Sequence, residues 1–372
     1  MQHAEGRVQY NSPDRSRNTP SRPENSAAPR TNRSCPSLVE SESLVFQTTS
    51  ITAGARHLNV AIGPDNGPPL LLLHGVTRGW HDWSNLFAHL SPRWRIVAMD
   101  FRGHGASEPA PGRYRVADYV DDALAVLRQL VREPAAVMGH SLGAMVALAA
   151  AAQAPELVRA VVAEDPPFHT MGERIASTPL LGYFRDLRRL HSRGEALFQF
   201  TNALADVPVA ISRDDGGKAA RLGDLRDMAS LRMAAAMLKR VDPEVFEPIV
   251  AGRWLDGYDV EGVLAGVRCP ALLLQADTEA GGMLTDDDAA LAEQTAKECY
   301  RVRFPGVGHL IHWTDPAGML RPVLAFLESL RIDDTFGAAA RRDADVPAGE
   351  TYRIDGHETR LRHGTHQERP VG

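Results

Sequence analysis

Gly139-His140-Ser141-Leu142-Gly143 places a serine midway between two glycines, each two residues away. The run stands between a short apolar segment, Ala135 to Met138, and an alanine-rich stretch, Leu142 to Ala152, and so reads as a turn joining a strand to a helix. A turn this tight strains the serine backbone, and side chains two residues to either side would collide; glycine at both ends removes the collision. The hydroxyl is then lifted clear of the sheet edge, with the helix N-terminus aimed at whatever becomes attached to it. The backbone N–H of Leu142 becomes a free donor for an oxyanion. The chemistry this arrangement suits is nucleophilic attack on an acyl carbon. A serine hydroxyl ionises far above neutral pH, so the attack needs a general base within hydrogen-bonding reach. The bland alternative is a serine that caps a helix between two packing glycines.

Positioning such a group requires a frame, and between residues 44 and 332 the chain alternates short apolar runs with longer helical stretches. Leu44 to Gln47 and Leu58 to Ile62 read as an opening strand pair, and Leu70 to Leu73 and Ile96 to Met99 as strands buried on both faces. Val120, Leu124, Leu127 and Val131 fall on one helix face. Val161 to Ala163, Leu272 to Gln275 and Tyr300 to Phe304 supply further strands, and Pro316 to Leu330 a last helix. Strands alternating with helices make a doubly wound, mostly parallel α/β sheet. From Phe168 to about Gly262 no strand is evident, only helical patterns, and a stretch that long is not a loop. It is expected to be a helical cap over the carboxyl ends of the strands, where ligands of open α/β sheets bind. The domains expected are therefore a core of 41–167 plus 262–332 and a cap of 168–261. Polar tails are expected at 1–40 and 333–372.

Composition narrows the function classes. The 372 residues carry a formal charge of −6, which argues against a broad basic surface for nucleic acid. Cys35, Cys269 and Cys299 are too few and too scattered for a disulfide framework or a zinc site. The tail histidines His357, His363 and His366 are poorly spaced for a metal, and no metal or cofactor is expected. No apolar run approaches the ~20 residues of a membrane span, and residues 1–40 lack the apolar stretch of a signal peptide. The expectation is a cytoplasmic monomer or homodimer that acts on a small molecule.

Over residues 46 to 330 the chain resembles the α/β-hydrolase family. The resemblance rests on Leu71-Leu72-Leu73-His74-Gly75, on Asp100-Phe101-Arg102-Gly103-His104-Gly105-Ala106-Ser107, on the serine turn, and on Gly306-Val307-Gly308-His309. It implies that Val76 gives a second oxyanion N–H beside that of Leu142, and that His309 is the general base. His74 and His104 belong to motifs whose usual role is loop architecture, while His312 competes with His309. For the acid that orients the imidazole, the commonest family position follows the strand after the cap, which points to Asp277, with Glu279 two residues on. A second family position, used by haloalkane dehalogenases and some relatives, ends the strand before the cap and corresponds to Asp165. Asp277 is taken first, with Asp165 and Glu279 as alternatives.

His140, Trp80, Phe168 and Trp313 are expected to line the pocket. The apolar positions Leu180, Leu181, Phe184, Leu197, Phe198 and Phe200 suggest a largely apolar substrate. The function implied is cofactor-independent hydrolysis of a small ester or lactone through a Ser-His-acid triad. A C–C bond hydrolase or a perhydrolase on the same triad, and a non-catalytic small-molecule receptor of the same fold, are the competing readings.

Overall fold

The protein is described here by a computed structural model, which covers residues 46–209, 220–344, 352–354 and 357–359. The expected N-terminal tail, Cys35 and the side chains of the tail histidines lie outside the described residues.

Eight strands form one sheet: β1 (Gln47–Ala53), β2 (Arg56–Ile62), β3 (Pro69–Leu73), β4 (Arg95–Met99), β5 (Ala135–His140), β6 (Val158–Glu164), β7 (Ala271–Ala276) and β8 (Cys299–Phe304). Their spatial order is β1-β2-β4-β3-β5-β6-β7-β8, antiparallel at the β1/β2 and β2/β4 pairings and parallel elsewhere. The central strands β3 and β5 are buried along their whole length, which explains their unbroken apolar sequence. The first strand lies at 47–53 rather than at 44–47. Its Gln-Thr-Thr-Ser start faces solvent at the sheet edge, so it carries no apolar alternation to read.

The helices are α1 (Phe87–Leu90), α2 (Val116–Val126), α3 (Leu142–Gln153), α4 (Leu180–His191), α5 (Leu197–Ala205), α6 (Leu222–Leu225), α7 (Met228–Leu238), α8 (Phe246–Val250), α9 (Val260–Gly266), α10 (Asp286–Thr295), α11 (Ile311–Thr314) and α12 (Pro316–Ala344). They cover both faces of the sheet. One core joins the β3–β5 face to α2, α3 and the inserted helices; the other joins the opposite face to Trp83, Trp94 and the inward side of α12. Between β6 and β7 the described residues are helical apart from loops and an isolated bridge, Pro208 to Arg221. The expected boundary at 261/262 falls inside α9, which packs on α3: a Cβ on Gly266 would lie 2.8 Å from that of Ala152. α9 therefore belongs to the sheet-covering layer, and the insertion ends before it. α12 also continues past residue 332 to Ala344, through Ala338-Ala339-Ala340 and Arg341-Arg342, residues of high helix propensity. A short antiparallel pair, β9 (Tyr352–Ile354) with β10 (His357–Thr359), follows. Among the described residues no helix is long and apolar enough to cross a membrane.

Candidate active site

Ser141 sits in the turn between β5 and α3 at φ 54°, ψ −113°, a left-handed conformation that a non-glycine residue adopts only when its surroundings impose it. Those surroundings leave no room for side chains at the flanking positions. A Cβ on Gly139 would lie 2.1 Å from the carbonyl oxygen of Gly143, and one on Gly143 the same distance from that of Leu73. The Ser141 N–H donates to the Glu164 carbonyl at 2.9 Å, which ties the turn to the neighbouring strand. The serine opens onto a cavity of about 420 Å³ that Val76, His140 and His309 also line. Leu142 is the first residue of α3, where a backbone N–H has no partner within the helix.

The loops beneath this cavity are built by two neutral histidines. His74 Nδ1 donates to the Gly75 carbonyl at 2.7 Å, and its Nε2 accepts from the Phe101 N–H at 3.0 Å. His104 Nδ1 donates to the Arg102 carbonyl at 2.9 Å, and its Nε2 accepts from the Thr77 N–H at 3.3 Å. Burial, with the His74 ring beside it, pulls His104 down to about 3. Thr77, at φ 72°, is thereby fixed directly after Val76.

The structure brings Asp165, not Asp277 or Glu279, against His309. His309 Nδ1 donates to Asp165 Oδ2 at 2.6 Å, so in the neutral ring the lone pair sits on Nε2. Asp165 is fully buried and stands at φ 45° just past the end of β6. Three backbone N–H groups hold its carboxylate: Ala276 at 3.1 Å and Leu284 at 3.2 Å on Oδ1, and Met283 at 2.7 Å on Oδ2. Asp277 is spent elsewhere. Its oxygens accept from the Gly306 N–H at 2.8 Å and the Glu279 N–H at 3.0 Å, and these bonds hold it below the usual carboxylate range. It serves as a turn cap between β7 and the loop that carries His309. Glu279 is exposed.

His312 is equally unavailable as a base. Its Nδ1 lies 2.8 Å from both oxygens of Glu164, and its Nε2 lies 3.3 Å from Asp82 Oδ2, with all three side chains buried. Burial alone would lower it; Glu164 and Asp82 outweigh that and raise it to about 9. Asp82 is in turn held well below the carboxylate range, because Arg78 and His312 overcome its burial. The result is an imidazolium locked between two carboxylates, without a free lone pair.

Of the four side chains expected to line the pocket, only His140 does so. Its Nε2 donates to the His309 carbonyl at 3.0 Å, its ring lies 4.6 Å from that of His309, and burial followed by the neighbouring imidazoles keeps it neutral. Trp80 stacks on Phe46 and Phe87 away from the cavity. Phe168 is wholly buried in the core. Trp313 donates from Nε1 to Asp82 at 3.0 Å and lines an adjoining cavity of about 190 Å³. All three satisfy the burial demand of a large aromatic by packing beneath or beside the site. Of the insertion's apolar residues, Leu180 and Phe184 reach the main cavity, Phe200 is in the core, and Phe198 is exposed. Arg78 and Arg226 line both cavities, and sequence reasoning singled out neither. Arg78, two residues past Val76, could have been noticed from its place in the oxyanion loop; Arg226, inside the insertion, carries no local signal.

The family model for the alpha/beta hydrolase fold matches residues 68–316, two thirds of the chain. The chain belongs to the α/β-hydrolase fold family. Its relatives include the 2-(acetamidomethylene)succinate hydrolase of Mesorhizobium japonicum, 43% identical over 120 residues, a match that spans 32% of this chain and 43% of that protein. The (E)-2-((N-methylformamido)methylene)succinate hydrolase of Acinetobacter baylyi is 23% identical over 279 residues, 71% of this α/β-hydrolase and 91% of the relative. The crystal structure of an E-2-(acetamidomethylene)succinate hydrolase superposes with a TM-score of 0.58 at 25% identity, over 76% of this chain and all of that one. These relatives are named as hydrolases, and the first two curated matches, the Mesorhizobium protein among them, cover only about half or less of those relatives.

Proposed function

We propose that this hydrolase cleaves a small carboxylic ester or lactone through Ser141, His309 and Asp165. The observation that carries the reading is the 2.6 Å contact from His309 Nδ1 to Asp165, on the cavity that Ser141 opens onto. In the first step His309 Nε2 takes the Ser141 proton as Oγ attacks the acyl carbon, and the negative charge moves to the carbonyl oxygen. The N–H groups of Val76 and Leu142 receive that oxyanion, an interaction worth about 3–4 kcal/mol per donor. Asp165 stabilises the imidazolium without taking its proton. His309 then returns the proton to the leaving oxygen, and the acyl-enzyme forms. Water, deprotonated by the same nitrogen, attacks the acyl carbon and releases acid and Ser141. His140, neutral and bonded to the His309 carbonyl, holds the loop that presents the base. Relatives named as hydrolases of substituted succinates make small amides a sensible addition to the substrate panel.

Ser141→Ala is expected to reduce turnover of short p-nitrophenyl esters by about a million-fold and to abolish labelling by a fluorophosphonate probe. Turnover and labelling that survive the substitution would remove Ser141 from the mechanism. A receptor of this fold would instead bind its ligand with a single burst of product and no steady state.

A further inference from the structure

Several guanidinium groups among the described residues are neutralised. Arg102 makes a bidentate pair with Asp122 at 2.8 and 2.6 Å, Arg174 pairs with Asp288, Arg188 with Glu247 and Arg301 with Asp286. Arg226 differs. It follows α6 in the insertion, is half-buried, and pairs with no carboxylate among the described residues. It shares the walls of both cavities with a second cation, Arg78, whose backbone N–H donates to the Gly75 carbonyl in the turn before Ser141's cavity.

The acids nearby are already engaged. Asp82 lies 3.7 Å from Arg78 but is shared with His312 Nε2 and with the indole N–H of Trp313. Asp227, next in the chain to Arg226, caps α7: it accepts from the N–H groups of Ala229 and Ser230, both at 2.9 Å, and from the Ser230 hydroxyl. Burial, with Arg78 adding repulsion, pulls Arg226 down to about 10. The remaining wall of the main cavity is largely apolar, from Val76, Met171, Leu180, Phe184, Met283 and Leu310.

We propose that Arg78 and Arg226 form a carboxylate subsite in the cavity of Ser141, so that the substrate is a small acyl compound bearing a free carboxylate besides its scissile carbonyl. The proposal rests on the serine-hydrolase reading above. A half-buried cation without a counter-ion carries a desolvation cost that a ligand anion relieves, and a planar guanidinium matches a carboxylate in geometry. Asp82 is shared with His312 and offsets Arg78 only in part, so the pair keeps more than one unit of positive charge. The largely apolar wall favours a single carboxylate group at the pair over a doubly charged phosphate, whose desolvation costs more. The apolar wall accommodates a short hydrocarbon segment between the carboxylate and the reacting carbonyl.

Two measurements test this. Calorimetry on the intact chain carrying Ser141→Ala should show glutarate binding at one site with millimolar or better affinity and inorganic phosphate binding more weakly. Adding Arg226→Gln should weaken glutarate about 10- to 100-fold, and Arg226→Lys by less, since a charge-assisted bond is lost in one case and its geometry alone in the other. On the wild-type enzyme, p-nitrophenyl esters with an ω-carboxylate should exceed their ω-methyl-ester counterparts in kcat/KM by about ten-fold or more, an advantage that shrinks with added salt. Equal rates for the two ester series, undetectable glutarate binding, or tighter phosphate binding would each overturn the carboxylate subsite. Calorimetry does not depend on turnover. Failure of wild-type labelling by fluorophosphonate with intact glutarate binding would therefore sink the hydrolase reading alone, whereas normal labelling with no charge preference sinks the subsite alone.

Discussion

Replacing Asp165 with Asn tests the placement of the acid most severely, because the new side chain differs by one NH2 group and the structure leaves no neutral way to seat it. Both oxygens of Asp165 accept two bonds each: Oδ1 from Ala276 and Leu284, Oδ2 from Met283 and His309. An amide offers one acceptor oxygen and one pair of donors. With NH2 at the Oδ2 position, it meets the Met283 N–H and forces His309 to carry its proton on Nε2, facing the nucleophile it should deprotonate. With NH2 at the Oδ1 position, two backbone donors lose their acceptor. The catalytic loss expected for such a tautomer error is about 10⁴ in kcat, or ~5 kcal/mol of transition-state stabilisation. Two buried donors left unsatisfied cost folding stability of about 2–5 kcal/mol. The assay is kcat/KM on a p-nitrophenyl ester, corrected for the folded fraction, with urea unfolding in parallel. Asp277→Asn, whose amide oxygen can still accept from the Gly306 N–H, should remain within about ten-fold of wild type. An Asp165→Asn enzyme within that same range, or one more active than Asp277→Asn, would refute the assignment.

Two further outcomes follow from packing and charge. Gly143→Ala drives a Cβ to 2.1 Å from the Leu73 carbonyl and should cost about 3 kcal/mol or more, read as a lowered urea midpoint together with lost fluorophosphonate labelling; an unchanged midpoint would mean the turn can open. His312, raised in the fold to about 9, contributes stability that is full below its unfolded value of ~6.5 and is lost as pH rises through about 9. Asp82, held low, contributes above ~3.9 and loses its share on acidification. His312→Gln should flatten the alkaline limb of the stability profile, and an alkaline limb of unchanged steepness would contradict the buried ion trio.

What could be read from the chain beforehand divides along one physical line. The serine turn is dictated by steric exclusion among neighbouring residues, so Gly139, Ser141 and Gly143 carry their own geometry in the sequence. The strands β3 to β7 are legible for a related reason, since burial on both faces writes largely apolar runs. Asp165 is not legible in that way: its identity as the partner of His309 depends on two loops that are 144 residues apart in the chain. Asp277 imitates an acid at the expected place because a turn-capping aspartate and a triad aspartate look alike in sequence. His309 and His312, three residues apart, differ only in which carboxylates the fold brings to them. Trp80, Phe168 and Trp313 mislead for the opposite reason, since a large aromatic near a pocket is equally at home behind its wall. The Arg78 and Arg226 pair unites an oxyanion loop with the insertion, and no local pattern announces it.

The nucleophile and the acid follow adjacent parallel strands, β5 and β6, whose ladder pairs His140 with Glu164 immediately before Ser141 and Asp165. Their spacing is thus inherited from sheet geometry, in the way two teeth on one gear keep their pitch. The inserted helices leave the chain after Asp165 and return before β7, so changes in their outward-facing residues and loops need not pass strain to either residue. Only His309, on its own loop after β8, must be aligned separately. A lineage remodelling this enzyme for a new substrate would therefore find room to change in the cavity-facing residues of the insertion and little in the His309 loop, which puts tolerance and intolerance on opposite sides of one cavity.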